Sequence, residues 1–79
     1  MERYRNLSGD SGVDAYEIGD EFVKVRFRSG DVYWYTQASV GARHVAALKC
    51  LARRGQGLSA YISQHPEVKE GYARREASD

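Results

Sequence analysis

The sequence contains a single cysteine, Cys50, in 79 residues. One cysteine cannot form a disulfide within the chain, so the fold cannot depend on one. Histidine is also scarce: only His44 and His65 are present, and together with Cys50 they do not show the spacing of a metal site. We therefore predict neither a metal nor a cofactor.

Long apolar runs are missing as well. No stretch approaches the roughly 18 consecutive apolar residues that indicate a membrane-spanning helix. The N-terminal sequence MERYRNLSGDSG has no apolar segment of the kind that signal peptides contain. These absences, with the lack of disulfides, favour a cytoplasmic protein and predict no membrane partner.

The chain has no large excess of either charge. It carries 12 basic and 11 acidic residues, for a net charge of +1. A dedicated nucleic-acid-binding protein usually has a clear basic excess. The charges are nevertheless unevenly distributed, because residues 10–21 carry five acids and no base, whereas residues 24–54 carry seven bases and one acid.

The length suffices for one small domain. A chain of this size buries only roughly 60–65% of its unfolded surface, so a large active-site cleft is not expected. With 42% apolar and 29% charged residues the composition is that of a globular domain. We interpret residues 1–12 as a flexible N-terminal arm and residues 13–75 as a single domain.

Three segments are typical of β-strands: residues 13–20, 21–30 and 32–36. The second alternates between apolar and basic side chains, as a strand with one buried face does. The apolar set is Val23, Val25 and Phe27, and the basic set is Lys24, Arg26 and Arg28. A Ser-Gly-Asp turn then leads into the third strand.

The third strand contains three aromatic residues in a row, Tyr33, Trp34 and Tyr35. Successive residues of a strand point to opposite faces, so the two tyrosines share one face and Trp34 lies on the other. Placing Trp34 in the core would bury the basic residues of the neighbouring strand, which is costly. We therefore predict that Tyr33 and Tyr35 are structural and that Trp34 lies on the opposite face with the cations.

Helical periodicity follows the strands. Apolar residues of the segment 39–55 lie on one arc, with Ser39 expected as the N-cap and Gly55 as the stop. A second helix is predicted over residues 57–65, with Ser59 as its N-cap.

A third, short helix is expected to begin at Pro66 and to extend over residues 66–76. The predicted fold class is therefore α+β: a three-stranded antiparallel β-meander with two main α-helices packed on one face and a short C-terminal helical extension.

The order and spacing of several short pieces resemble those of the KTSC domain, a small family found alone in bacterial proteins and at the C-terminus of some lysyl-tRNA synthetases. The pieces are Ser11, AYE at 15–17, VKVRFRSG at 23–30, YWY at 33–35 and GQGLSAYI at 55–62. The resemblance implies a small α+β domain for which RNA binding has been suggested, and it supplies no catalytic residue.

Lys24, Arg26, Arg28 and Trp34 are the candidate nucleic-acid-binding residues. A ring that can stack on bases, placed among phosphate-binding cations, is the arrangement of single-strand binding surfaces. The same patch could instead be covered by the N-terminal arm or form an interface with another protein or a second copy of the chain, since exposed tryptophans often anchor interfaces.

Arg53, Arg54, Gly57 and Ser59 are the candidate anion-binding residues, because a helix N-terminus beside arginines attracts anions. The alternative is an ordinary helix–helix turn with its arginines in water.

Cys50 is either a thiol activated by the nearby arginines or an inert surface thiol. His44 is expected at the edge of the core, bonded to a backbone carbonyl. No group of residues has the base and oxyanion partners that a nucleophile needs. The function predicted from the sequence is therefore a small non-catalytic binding module for RNA or another nucleic acid, with a protein-interaction or self-association module around Trp34 as the alternative.

Overall fold

A computed structural model describes residues 1–9 and 11–77. This part of the chain forms five strands and four helices, which confirms the α+β class and adds two strands to the predicted three. In chain order they are β1 (Glu2–Arg3), β2 (Val13–Ile18), β3 (Phe22–Phe27), β4 (Val32–Thr36), α1 (Gln37–Val40), α2 (Ala42–Arg54), α3 (Leu58–Gln64), α4 (Pro66–Lys69) and β5 (Arg74–Glu76).

The strands form one antiparallel sheet in which each strand pairs with its neighbours in sequence. The predicted meander is its centre, β2-β3-β4. Val25 lies opposite Tyr16 on one side and Tyr33 on the other, whereas Lys24 lies opposite Glu17 and Trp34. This register places the two alternating sets of β3 on opposite faces of the sheet, as predicted.

The N-terminal residues that we interpreted as a flexible arm instead contribute to the fold. β1 pairs with β2, and the Tyr4 amide donates to the Asp14 carbonyl oxygen at 3.0 Å. The Tyr4 ring is 3% exposed and belongs to the core. A two-residue strand has no alternation to detect, so the polar composition was misleading; residue 10 of this segment lies outside the described residues.

The C-terminal helix is shorter than predicted. It begins at Pro66 as expected but ends at Lys69, and the remainder of the segment includes strand β5, which pairs with β4. Glycine disfavours helix, and Gly71 lies so close to the Glu67 carbonyl that a β-carbon would overlap it. The free edge of β4 then offers backbone partners to the chain that follows.

The first predicted helix is divided in two at Gly41, whose φ of 95° is not helical. Ser39 does not cap α2; it forms a capping box with Thr36 at the start of α1. Gly55 ends α2 in the left-handed conformation, as predicted. α3 begins at Leu58 with Gly57 as its N-cap, so the predicted N-cap role of Ser59 is wrong.

The core lies between the helices and one face of the sheet. The sheet contributes Val23, Val25 and Tyr35, of which the first two are fully buried and Tyr35 is 1% exposed. Buried helix residues pack onto this face: Val45, Leu48, Ala52, Leu58, Ile62 and Val68. The two main helices therefore cover one face, as predicted, and the tyrosine pair belongs to it.

Within the described part of the chain, no helix has both the length and the apolar character needed to cross a membrane.

Candidate functional site

The opposite face of the sheet is not covered by any of the described helices, and we call it the open face. Side chains of four neighbouring strands share it: Glu17 on β2; Phe22, Lys24 and Arg26 on β3; Val32 and Trp34 on β4; and Arg74 on β5. It is the surface that the alternation of β3 predicts for Trp34 and the cations.

Trp34 is half-buried at the centre of the open face and is surrounded by the chain's own side chains. The Lys24 ammonium lies 4.1 Å from the centroid of its ring, and the Arg74 guanidinium lies 5.8 Å away. The Phe22 ring stacks on it with centroids 5.5 Å apart. Its indole N–H donates to Glu76 at 2.6 Å, so the ring is held in place at its polar edge.

Two of the candidate cations are already paired with carboxylates of β2. Lys24 lies 3.4 Å from Glu17, and the Arg26 guanidinium lies 2.9 Å from Asp14. Both acids come from the acidic segment 10–21. Sequence analysis missed these pairs because they depend on which residues of β2 and β3 lie opposite one another, and the bulge after Val13 shifts that register.

Arg28 lies beyond the end of β3, four residues from Lys24, which is roughly 13 Å along an extended strand. It lines a shallow polar pocket with Arg3 and Asp14. The structure thus brings Lys24 next to Trp34 and places Arg26 two residues farther along β3, but it leaves Arg28 beyond the end of that strand.

None of the main pockets in the described part of the chain is lined by all four predicted anion-binding residues. Arg53 lines a pocket with Glu2 and Tyr16, whereas Gly57 and Ser59 line a separate one. The carbonyl oxygens of Arg53 and Arg54 instead accept hydrogen bonds from the Arg5 guanidinium, at 2.6 Å and 2.9 Å. This contact ties the N-terminal segment to the C-terminal end of α2, where unpaired carbonyls attract cations.

The amide at the start of α3 is also occupied. The Leu58 N–H donates to the buried Tyr4 hydroxyl at 3.3 Å, and α3 is only seven residues long. This hydrogen bond occupies the Leu58 amide and fastens the N-terminal segment to a second helix. The anion site accordingly stays a prediction from the sequence.

A cluster of aromatic and titratable residues lies between α2 and α3. His44 Nδ1 lies 2.7 Å from the Tyr61 hydroxyl and Nε2 lies 3.5 Å from Glu67. The expectation that His44 bonds a backbone carbonyl is therefore wrong; His65 does so instead, with the Tyr61 carbonyl at 2.8 Å, and its ring stacks on Tyr61. Cys50 is an exposed free thiol.

No group of three or more histidine, cysteine or acidic residues in the described part of the chain is arranged to hold a metal ion. Comparisons of the chain with family models, with curated proteins and with solved structures find no match. The resemblance to the KTSC domain therefore stays a prediction, and the geometry of the open face is the basis for a functional proposal.

Proposed function

We propose that the protein is a small non-catalytic binding module that holds single-stranded nucleic acid on its open face. The observation that carries the proposal is the row Lys24–Trp34–Arg74, in which a central aromatic ring lies between two cations on three neighbouring strands. The KTSC-like pattern of the sequence supports the same ligand class.

An aromatic side chain can stack on any base, and each stacked base contributes roughly 1–3 kcal/mol. The flanking cations would then contact the phosphates on either side of that base. Single strands are favoured over duplex, because Trp34 needs an unstacked base. Arg74 lies farther from the ring than Lys24 does, so its side of the ring is where a base would enter.

The carboxylate partners of Lys24 and Arg26 limit the strength of this binding. A phosphate has to compete with Glu17 and Asp14 for these cations. We therefore expect weak affinity that falls with added salt, with a smaller salt dependence than the number of cations alone predicts.

The same pairing favours a second candidate, a partner protein or a second copy of the chain docking on the open face. A protein surface can complement alternating positive and negative side chains, and a tryptophan at the centre is a common anchor of such interfaces.

The first experiment titrates a single-stranded RNA of mixed sequence at low salt against the wild type and Trp34→Ala. Leu7→Ala, which truncates an exposed apolar residue elsewhere, is the control. We expect saturable binding that Trp34→Ala weakens about tenfold or more, the equivalent of one stacked base. Equal binding by Trp34→Ala would exclude the open face as the nucleic-acid site.

A second experiment releases the paired cations by the double change Asp14→Asn and Glu17→Gln. The control double change, Glu21→Gln with Glu70→Gln, removes the same charge from exposed positions outside this pairing. If phosphates compete for the cations, the first variant binds RNA more tightly than the control, and its salt dependence steepens by roughly 0.7 per released cation. If both variants behave alike, the protein-partner function is favoured.

A further inference from the structure

A cleft of about 520 Å³ opens on the helix side of the sheet, opposite to Trp34. Its volume lies within the roughly 300–1,000 Å³ typical of small-molecule sites, and its lining is mostly apolar. Strands, helices and the segment before β5 all contribute to it: the lining residues are Phe27, Ser29, Asp31, Tyr33, Tyr35, Ser59, Ile62, Ser63, Lys69, Glu70 and Tyr72.

The walls of the cleft are aromatic rings that hold one another in place. Tyr33 meets Phe27 and Tyr72 edge to face, with ring centroids 5.4 Å and 4.9 Å apart. Its ring also lies nearly parallel to that of Tyr35. Edge-to-face packing is one of the preferred geometries of aromatic pairs, so the rings that line the cleft can pack against an aromatic ligand in the same way.

Tyr35 supplies a polar group at the base of the cleft. Tyr35 is 1% exposed, and its hydroxyl forms no hydrogen bond with another described residue. Because no buried side-chain polar atom of the described residues lacks a partner, the hydroxyl itself lies at the accessible surface of the cleft. Burial, with the Tyr33 and Tyr72 hydroxyls nearby, raises the pKa of Tyr35, so the hydroxyl stays protonated. A hydroxyl that reaches the cleft without a protein partner is a donor available to a ligand.

Two opposite charges lie at the rim, on adjacent residues. Lys69 ends α4 and Glu70 follows it, and both are exposed. Neither side chain forms an ion pair with another residue in the described part of the chain. A ligand that carries both an ammonium and a carboxylate group would satisfy both.

We propose that this cleft binds a free aromatic amino acid with a polar ring substituent, of which tyrosine is the simplest. The ring packs among Phe27, Tyr33 and Tyr72, and its hydroxyl meets that of Tyr35. The ammonium and carboxylate groups remain at the rim with Glu70 and Lys69. The proposal is independent of nucleic-acid binding, because Trp34 points away from the cleft.

The test is a titration of the full chain with tyrosine, phenylalanine and tyramine, followed by amide chemical shifts or calorimetry. We expect tyrosine to bind most tightly. Phenylalanine lacks the ring hydroxyl and should bind about tenfold more weakly, as the loss of one hydrogen bond predicts. Tyramine lacks the carboxylate and should also bind more weakly.

Variants assign these losses to particular side chains. Tyr35→Phe keeps the packing of the ring, and it should bind tyrosine and phenylalanine equally. Lys69→Gln should weaken tyrosine but not tyramine, whereas Arg43→Gln, the same loss of charge at an exposed position on α2, should change neither. Trp34→Ala should leave all three titrations unchanged.

The proposal is overturned if tyrosine shows no saturable binding at millimolar concentration, or if phenylalanine binds the wild type as tightly as tyrosine does. It is also overturned if Tyr35→Phe still discriminates between the two. Binding of the nucleoside adenosine in the absence of tyrosine binding would show that the cleft takes a different class of aromatic ligand.

Discussion

Tyr35 and Trp34 are adjacent aromatic residues of one strand, yet they belong to very different regions. Tyr35 is 1% exposed and packs under the helices with valines and leucines. Trp34 is half-buried on the open face and contacts charged groups, with Lys24 over its ring and Glu76 at its N–H. The pleat of the strand, and not the size of the side chain, decides that Tyr35 lies on the face that the helices cover and that Trp34 lies on the open face.

The largest expected effect tests this contrast directly. Tyr35→Ala should lower the free energy of unfolding by about 3 kcal/mol or more, because the truncation leaves a cavity in the core. Trp34→Ala should cost clearly less, since its contacts are exposed and can be replaced by water. In a domain of this size each kcal/mol corresponds to a shift of roughly 4–8 °C in Tm. A thermal melt in which Trp34→Ala is the less stable variant would reverse the assignment of the two faces.

The helix side of the molecule and the open face should also differ in how well they tolerate an added methyl group. A β-carbon at Gly71 would overlap the backbone carbonyl of Glu67, whereas one at Gly19 would overlap only the ring of Phe22 on the open face. The backbone cannot move without disturbing α4, but the ring can rotate toward solvent. Gly71→Ala should therefore cost about 2 kcal/mol, within the range for overpacked sites, and Gly19→Ala should cost less.

Chemical denaturation of both glycine variants, with Gly12→Ala as the control, measures the difference. A β-carbon at Gly12 meets no atom within 4 Å, so that variant should be close to the wild type. Equal losses at Gly19 and Gly71 would show that the Phe22 ring on the open face is held as rigidly as the backbone of α4.

Alkaline pH gives a smaller effect that depends on the buried tyrosine. Burial raises the pKa of Tyr35 above its ordinary value of 10.0, so the folded state keeps a proton that the unfolded state loses. The stabilising contribution is complete below pH 10 and decreases as the pH rises above it. Relative to Tyr35→Phe, which cannot ionise, the wild type should lose stability with a slope that approaches about 1.4 kcal/mol per pH unit.

Denaturant melts of both proteins between pH 8 and pH 11 provide the comparison. The other tyrosines titrate in both proteins, so the difference between the two slopes isolates Tyr35. Parallel slopes would mean that the Tyr35 hydroxyl is accessible enough to ionise in the folded state.

The parts of the fold with strong periodicity could be predicted from the sequence. Alternation in β3 assigned its two faces, the aromatic triplet assigned those of β4, and Gly55 marked the end of α2. The edge strands could not be predicted, because β1 has two residues and β5 is made of Arg-Arg-Glu, a sequence equally suited to an exposed helix. Pairing with the free edges of β2 and β4 decides their conformation, and that information is not local.

The candidate sites, too, could be predicted only as far as patterns within single strands allow. The composition of the open face follows from alternation within single strands, so Lys24 and Trp34 were correctly placed on the same face. Their partners, such as Glu17, come from other strands and depend on register, which the bulge in β2 alters. The aromatic cleft depends on the packing of Tyr72 against Tyr33, and that packing follows from the unpredicted end of α4.

The smallest expected effect concerns the charge pairs of the open face. Arg26 and Asp14 lie 2.9 Å apart, with side chains 42% and 48% exposed, so water and salt screen their attraction. A double-mutant cycle with Arg26→Ala and Asp14→Ala should give a coupling energy of about 0.5 kcal/mol, as for other exposed pairs, and it should decrease further in 0.5 M salt. Each single change should itself cost little, in contrast with Tyr35→Ala on the other face. A coupling above about 2 kcal/mol that persists in high salt would mean that the pair holds the sheet together. Such a pair would not be free to exchange its partner for a phosphate, and the proposed use of Arg26 in binding would have to be abandoned.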